Sequence, residues 1–246
     1  MNIKIFVFYM LFYSLAISAE SDYSIDRLDW EKRLNQNTSI SVENLFGNIN
    51  VKKAYDDFFV IHAVNQNHNS KKNKAQFLIE EENNHITIKV YFEDGKTIDK
   101  ERSDVSIIMP QTLSLTIRMN GGDLIAKKIN NPIDIVAESA KINLTTKSSF
   151  NVFSKSGDIF VKILENAQPE SSNIQSYTSN ITLEYLFKKP YFEITSGKTV
   201  VSNSSALLLS KHLSNRKVLF NNSDSEAQIK LKSDVGTIIL IDKNVN

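Results

Sequence analysis

The chain contains no cysteine, and glycine and proline are scarce, at seven and four among 246 residues. Without thiols there is no disulfide framework, no thiolate nucleophile, no zinc–thiolate site and no lipoprotein cysteine to acylate. Such a chain must be held together by burial and backbone hydrogen bonding, and it is long enough to do so as one or two domains. Neither sign of charge is in excess, with 29 Lys and Arg against 28 Asp and Glu. A nucleic-acid binder normally carries a basic total and a basic face, so nucleic acid is not an expected partner. No nucleophile elbow, phosphate loop or dinucleotide fingerprint occurs, because the glycines stand ahead of strands and none opens a helix.

Long apolar runs are also missing, except at the start. Lys4 gives a short positive region, residues 5–17 carry no charge, and Ser18 and Ala19 precede Glu20. This is the pattern of an export signal over residues 1–19, cleaved after Ala19. The run is shorter than the roughly 20 residues that a spanning helix needs. Removal of Lys4 with the signal leaves the two signs of charge balanced. The mature chain is expected to be exported, periplasmic or secreted, with no transmembrane segment.

What is present is period-two alternation. Ile40-Ser41-Val42, Ile49-Asn50-Val51, Ile86-Thr87-Ile88-Lys89-Val90 and Leu113-Ser114-Leu115-Thr116-Ile117 each place apolar groups on one face, as half-buried strands do. Residues 23–34, around Trp30, are the one stretch with loose helical spacing, and they fit an extended lead-in equally well.

The glycines punctuate this alternation. Gly47, Gly121, Gly122, Gly157, Gly197 and Gly236 each precede an apolar alternating stretch, where a turn with positive φ suits glycine. A phrase then recurs, as Gly122-Asp123-Leu124-Ile125, Ala140-Lys141-Ile142-Asn143, Gly157-Asp158-Ile159-Phe160, Ser179-Asn180-Ile181-Thr182 and Gly197-Lys198-Thr199-Val200. Its polar residues Asp123, Lys141, Asp158, Asn180 and Lys198 follow at intervals of 18, 17, 22 and 18 residues. Within each interval lies a second strand, such as Ile133-Asp134-Ile135-Val136 or Phe150-Asn151-Val152-Phe153. A serine closes each, at Ser139, Ser156, Ser179 and Ser196. A strand, turn, strand and turn in about 18 residues is the length of one solenoid coil. The spacing predicts an all-β, single-stranded β-solenoid whose neighbouring coils stack strand on strand, with a β-sandwich as the alternative. The expected organisation is a lead-in over 20–37, an irregular β region of the solenoid over 38–112 and regular repeats over 113–246.

These phrases resemble the bacterial family named "putative adhesin", exported β-solenoid repeat domains. Val42-Glu43-Asn44-Leu45-Phe46-Gly47-Asn48-Ile49-Asn50-Val51 is similar to its opening phrase, with one more residue before the glycine. Ile107-Ile108-Met109-Pro110 is similar to its proline-ended strand, and Ser156-Gly157-Asp158-Ile159 to its repeated turn. The resemblance covers roughly residues 40–241. It implies a right-handed single-chain solenoid and no established activity. Ala140 and Asn180 depart from the pattern by standing where the family has turn glycines.

Candidate chemistry is thin. His62, His68 and His85 fall in one region and could hold a metal, but His62 lies on a strand and His68 in a polar loop. Asp123 and Asp158 suggest calcium less well than simple turn capping, in which the carboxylate accepts a hydrogen bond from the backbone two residues on. Asp134, Glu184 and Glu193 stand singly, without the paired carboxylates of a polysaccharide hydrolase. No cofactor, metal site or catalytic residue is expected. Lys188 and Lys189, flanked by Tyr185 and Tyr191, are the one candidate binding surface, and Lys71-Lys72 and Lys127-Lys128 are further basic pairs. The expected function is a non-catalytic, adhesin-like binding or scaffolding module of the cell envelope, whose partner is an unidentified polymer or protein. The alternatives are a polysaccharide-active enzyme and a periplasmic partner in envelope sensing.

Overall fold

The computed structural model describes residues 24–67, 75–92, 102–165, 167, 171–186, 190–204, 216–220 and 227–244. The expected export signal lies outside them. Among these residues the chain is all β. The lead-in is extended, as strand β1 (Ser24–Arg33). It is followed by β2 (Ser39–Phe46), β3 (Ile49–Lys53), β4 (Phe58–Asn67), β5 (Ala75–Glu82), β6 (His85–Phe92) and β7 (Arg102–Met109). Two long strands come next, β8 (Ser114–Ile129) and β9 (Ile133–Thr146). Shorter strands complete the chain, as β10 (Phe150–Ser156), β11 (Ile159–Ile163), β12 (Ser172–Ser176), β13 (Ile181–Tyr185), β14 (Pro190–Ser196), β15 (Val200–Ser202), β16 (Arg216–Phe220), β17 (Ala227–Ser233) and β18 (Ile238–Asp242). All belong to one open, mixed sheet of 18 strands.

The alternation determines which side of each strand is buried. In β9, Ile133, Ile135 and Ala137 are buried while Asp134, Val136 and Glu138 face outward. The phase slips at Glu138-Ser139, where two outward residues follow in succession, and then Ala140, Ile142 and Leu144 are buried again. That slip is a corner, and it divides the strand between two ladders. The first runs β6–β2–β8–β9–β10–β12–β17–β14, all parallel. The second runs β7–β3–β8–β9–β11–β13–β18–β15, again all parallel. Strands β8 and β9 pass through both.

Stacking in register puts like on like. Ile88, Val42, Ile117, Ile135, Val152, Ile174, Leu231 and Ile194 form one continuous column, each at most 1% exposed. Both ladders contribute to a single hydrophobic core. Full burial of such a side chain stabilises by roughly 1.5–3 kcal/mol, and a single strand–corner–strand unit cannot obtain it alone.

The stack departs from chain order at both ends. Repeat spacing alone puts the Lys198 unit beside the Asn180 unit, but β17 and β18 stand between them, in register with β12 and β13 on one side and β14 and β15 on the other. Likewise β2 and β3 lie between β8 and the later-coming β6 and β7. Spacing measures the length of a unit but carries no information on its neighbour. Antiparallel strands cover the outer units. β5 lies on β6, β4 on β7 with β1 beyond it, and β16 on β14. Free strand edges invite pairing with other chains, and charge along the edge discourages it. Asp29, Glu31, Lys32 and Arg33 on β1, and Glu80, Glu81 and Glu82 on β5, provide that charge.

At the corner the backbones of neighbouring units nearly touch. Gly157 has φ of +94°, and a Cβ there would stand 2.3 Å from the Ala140 carbonyl oxygen. Gly121, one residue before the same corner of β8, would place its Cβ 3.6 Å from the Ser139 carbonyl oxygen, an ordinary contact. Gly157→Ala should therefore cost about 1–3 kcal/mol, whereas Gly121→Ala should stay within about 0.5 kcal/mol of the parent. Urea denaturation of the two variants checks this, and equal stability of both would contradict the corner geometry.

Candidate functional site

The corner between the ladders gathers most of the residues singled out by the repeated phrase. Gly47, Gly122, Gly157, Gly197 and Gly236 each lie against backbone of a neighbouring unit. The expected positive φ is found at Gly47, Gly122 and Gly157 but not at Gly121, Gly197 or Gly236, and at the last two it is the close backbone approach that leaves no room for a Cβ. Beside them runs a chain of side-chain hydrogen bonds from unit to unit. The Asn48 N–H donates to Asp104 Oδ1 at 2.8 Å, and the Asp123 N–H to Asn48 Oδ1 at 2.9 Å. Further along, the Asn180 N–H donates to Asp158 Oδ1 at 3.3 Å and the Thr237 N–H to Asn180 Oδ1 at 3.0 Å. Asp158 thus caps the backbone one unit on rather than two residues on. The ladder satisfies corner N–H groups that the strand pairing leaves open. Register also shows that Ser179, not Asn180, stands level with Gly157 and Gly236.

The other candidates do not converge. His62 Nδ1 lies 2.6 Å from Asp29 Oδ1, and His85 Nδ1 lies 2.7 Å from Ser39 Oγ, on different ladders. His68 lies outside the described residues. Among the described residues no group of three or more His, Asp or Glu side chains is placed to hold a metal ion. The acids are engaged across units. Asp134 Oδ1 accepts from Asn151 Nδ2 at 2.7 Å, Glu193 pairs with Lys230 at 3.6 Å, and Glu184 pairs with Lys162 and Lys243. Asp134 and Glu193 share one outward column but stand four strand spacings apart, about 19 Å. Glycoside hydrolysis needs carboxylates about 5–9.5 Å apart.

The expected surface around Tyr185 requires correction. Tyr185 has the same parity as Ile181 and Leu183, so it points inward, is 1% exposed, and meets Phe192 edge-on with ring centroids 5.1 Å apart. Burial, reinforced by the charge of Asp242, holds its phenol well above the ordinary value of 10.0. Tyr191 is half-buried on β14, and Lys188 and Lys189 lie outside the described residues.

A different surface emerges on the outer side of the first ladder. Of the eight exposed large hydrophobic side chains among the described residues, four gather there, namely Val136, Phe153, Tyr177 and Val235. Phe153 is 39% exposed and Tyr177 57%. Val136, Phe153 and Gln175 lie in register on β9, β10 and β12. Tyr177 is fixed by its N–H donating to the Ser154 carbonyl at 3.2 Å, and the Val235 N–H donates to the Tyr177 carbonyl at 3.0 Å. Phe153, Lys155, Gln175, Tyr177 and Asp234 line a shallow cleft of about 370 Å³. Lys155 pairs with Glu138 and Asp234 with Lys232, each at 3.1 Å, so the charges flanking the rings are held in place. The sequence carried a signal for this patch. Val152 and Phe153, like Ile135 and Val136, are adjacent apolar residues on one strand, and only one of each pair can face the core.

No family profile matches the chain, and no curated protein matches it. The fold is similar to that of a "putative cell adhesion protein" from Clostridium sporogenes, with a TM-score of 0.53 and 11% identity over 89% of this chain and 100% of that one. At that identity the likeness is one of fold. Two structures described as "putative adhesin", from Bacteroides fragilis and Parabacteroides merdae, align over 87% and 90% of this chain at 11% and 9% identity, with TM-scores of 0.36 and 0.33.

A phenol whose pKa is raised by folding contributes stability that is full below its unfolded value and is lost as pH rises through its folded value. Tyr185→Phe should therefore cost about 1 kcal/mol at neutral pH and lose less stability than the parent between pH 9 and 11. Melting curves across that range check it, and parallel declines in the two proteins would contradict the burial of this phenol.

Proposed function

We propose that the chain is an exported, non-catalytic, adhesin-like binding module of the cell envelope, built as a β-solenoid. The solenoid reading is supported by the two parallel ladders sharing one core and by the repeat of 17 or 18 residues linking β8, β9 and β10. Parallel strands joined within one sheet cross over with right-handed sense, which favours a right-handed coil. Export rests on the signal pattern over residues 1–19, and the adhesin-like reading on the resemblance of the repeated phrases.

The observation that carries the binding function is the rigid patch of Phe153 and Tyr177. An exposed apolar cluster rimmed by polar groups marks an interaction site. Here the apolar element is two aromatic rings flanked by an amide, an ammonium and a carboxylate, from Gln175, Lys155 and Asp234. The face of a sugar ring presents polarised C–H groups, which suit the negative face of an aromatic ring, while its hydroxyls suit the flanking polar groups. The ligand class is therefore a polysaccharide. The enzyme reading is disfavoured by the wide separation of Asp134 and Glu193.

Retardation of the protein in native gels containing soluble polysaccharides tests this. The parent should be retarded by at least one, and Phe153→Ala combined with Tyr177→Ala should weaken that binding roughly tenfold or more. Unchanged retardation of the double variant would remove the patch from the function. Release of reducing or unsaturated ends from the bound polymer would overturn the non-catalytic reading.

A further inference from the structure

Charged residues in register on neighbouring strands of this protein are, with one exception among the described residues, opposite in sign. Glu43 lies against Lys89 and Arg118, Asp123 against Lys141, Lys162 against Glu184 and Glu193 against Lys230. The exception is Lys52 of β3 against Lys127 of β8. Two ammonium-bearing side chains are thereby held on strands about 4.8 Å apart, an arrangement that destabilises a sheet.

A second local cost falls at the same place. The pairing of β8 with β9 slips between Ala126 and Ile129. The residue in the slip, Lys128, has a φ of 56°, a left-handed conformation that a long side chain rarely adopts. The bulge is what allows both Lys127 and Lys128 to face solvent between the buried Ala126 and Ile129. Bulges commonly re-aim side chains at functional places. The next unit continues the row, because the Lys147 N–H donates to the Ile129 carbonyl at 2.9 Å and its side chain is exposed. Lys53 follows Lys52 on the preceding unit. Among the described residues none of these five lysines has an ion-pair or side-chain hydrogen-bond partner. Elsewhere Lys155, Lys162 and Lys230 each find a carboxylate on a neighbouring unit.

We infer that Lys52, Lys53, Lys127, Lys128 and Lys147 form a docking surface for a linear acidic polysaccharide. The row advances one strand spacing per unit, about 4.8 Å, close to the length of one sugar residue in an extended chain. A polymer with one carboxylate per residue, lying along the stack, meets a lysine at each of three successive units, and its charge relieves the Lys52–Lys127 repulsion. The balanced charge of the whole chain also favours a local polyanion site over a nucleic-acid surface.

The inference rests on the polysaccharide-binding reading but uses a surface remote in register from Phe153 and Tyr177, so the two can fail separately. Polygalacturonate is the probe, measured by titration at low and high salt with the parent, Lys127→Glu, and the Phe153→Ala/Tyr177→Ala double variant. The expected result is binding that weakens with added salt, falls roughly tenfold in Lys127→Glu and persists in the aromatic double variant. Lys127→Glu converts the like-charge pair into an opposite one, so its melting temperature should rise while binding falls, which separates a lost site from a lost fold. Absence of polygalacturonate binding, binding unaffected by Lys127→Glu, or tighter binding to phosphatidylglycerol vesicles or single-stranded DNA than to polygalacturonate would overturn the inference.

Discussion

Successive units of this protein are held one strand spacing apart along two ladders at once, and nearly everything else follows from that registry. Because the ladders are parallel and in register, each inward position becomes a column running through the whole stack. The column of Ile, Val and Leu through β8, β9, β10, β12 and β17 supplies burial that no single unit could reach. The same registry brings backbones together at the corner, where the carbonyl of Ala140 leaves no room for a Cβ at residue 157. It also sets Asp158 Oδ1 against the Asn180 N–H, so the polar corner residues satisfy one another between units.

The registry has consequences on the outside as well. An outward residue on one strand meets its counterpart on the next, and the sequence uses this in three ways. Opposite charges meet and pair, as in Lys162 with Glu184. Apolar groups meet and form an exposed surface, as in Val136 beside Phe153. Among the described residues like charges meet in one place, at Lys52 and Lys127. The first arrangement needs nothing further, whereas the other two leave exposed apolar area and unrelieved like-charge repulsion. The proposed binding along the outer sides of the stack rests on these two surfaces, while the acids Asp134, Glu184 and Glu193 are dispersed along the stack and engaged by neighbouring units.

Much of the fold was legible in the sequence. Alternation at Ile133, Ile135 and Ala137 gave the strands and their buried sides, and the recurring phrase at Asp123, Lys141 and Asp158 gave the unit length and the register of β8, β9 and β11. The order of units was not legible, because spacing is blind to a chain that runs past a neighbour and returns, as it does at both ends. The candidate site was legible only in part. Tyr185 was assigned to a surface from its aromatic and basic neighbours, although its parity with Leu183 already pointed inward. Phe153 reads as one more residue of the strand Phe150-Asn151-Val152-Phe153, although Val152 beside it takes the inward position and so turns Phe153 outward. In both cases parity along the strand was the better guide than local composition.

The order of units is the feature on which the account stands or falls, and the absence of native cysteine makes it directly measurable. Thr182 lies in register with Ile239, and Ile239 with Val201, all on the outer side of the second ladder. A Thr182→Cys/Ile239→Cys pair therefore sits on adjacent strands, within the roughly 4.4–6.8 Å over which a disulfide closes. Thr182→Cys/Val201→Cys sits two spacings apart, about 9.6 Å, beyond that reach. Mild oxidation of the two folded variants, followed by mass spectrometry of the cross-linked peptides, should find the first disulfide formed within one chain and the second absent. Formation of the second without the first would mean that the units stack in simple chain order, and the arrangement described would be wrong.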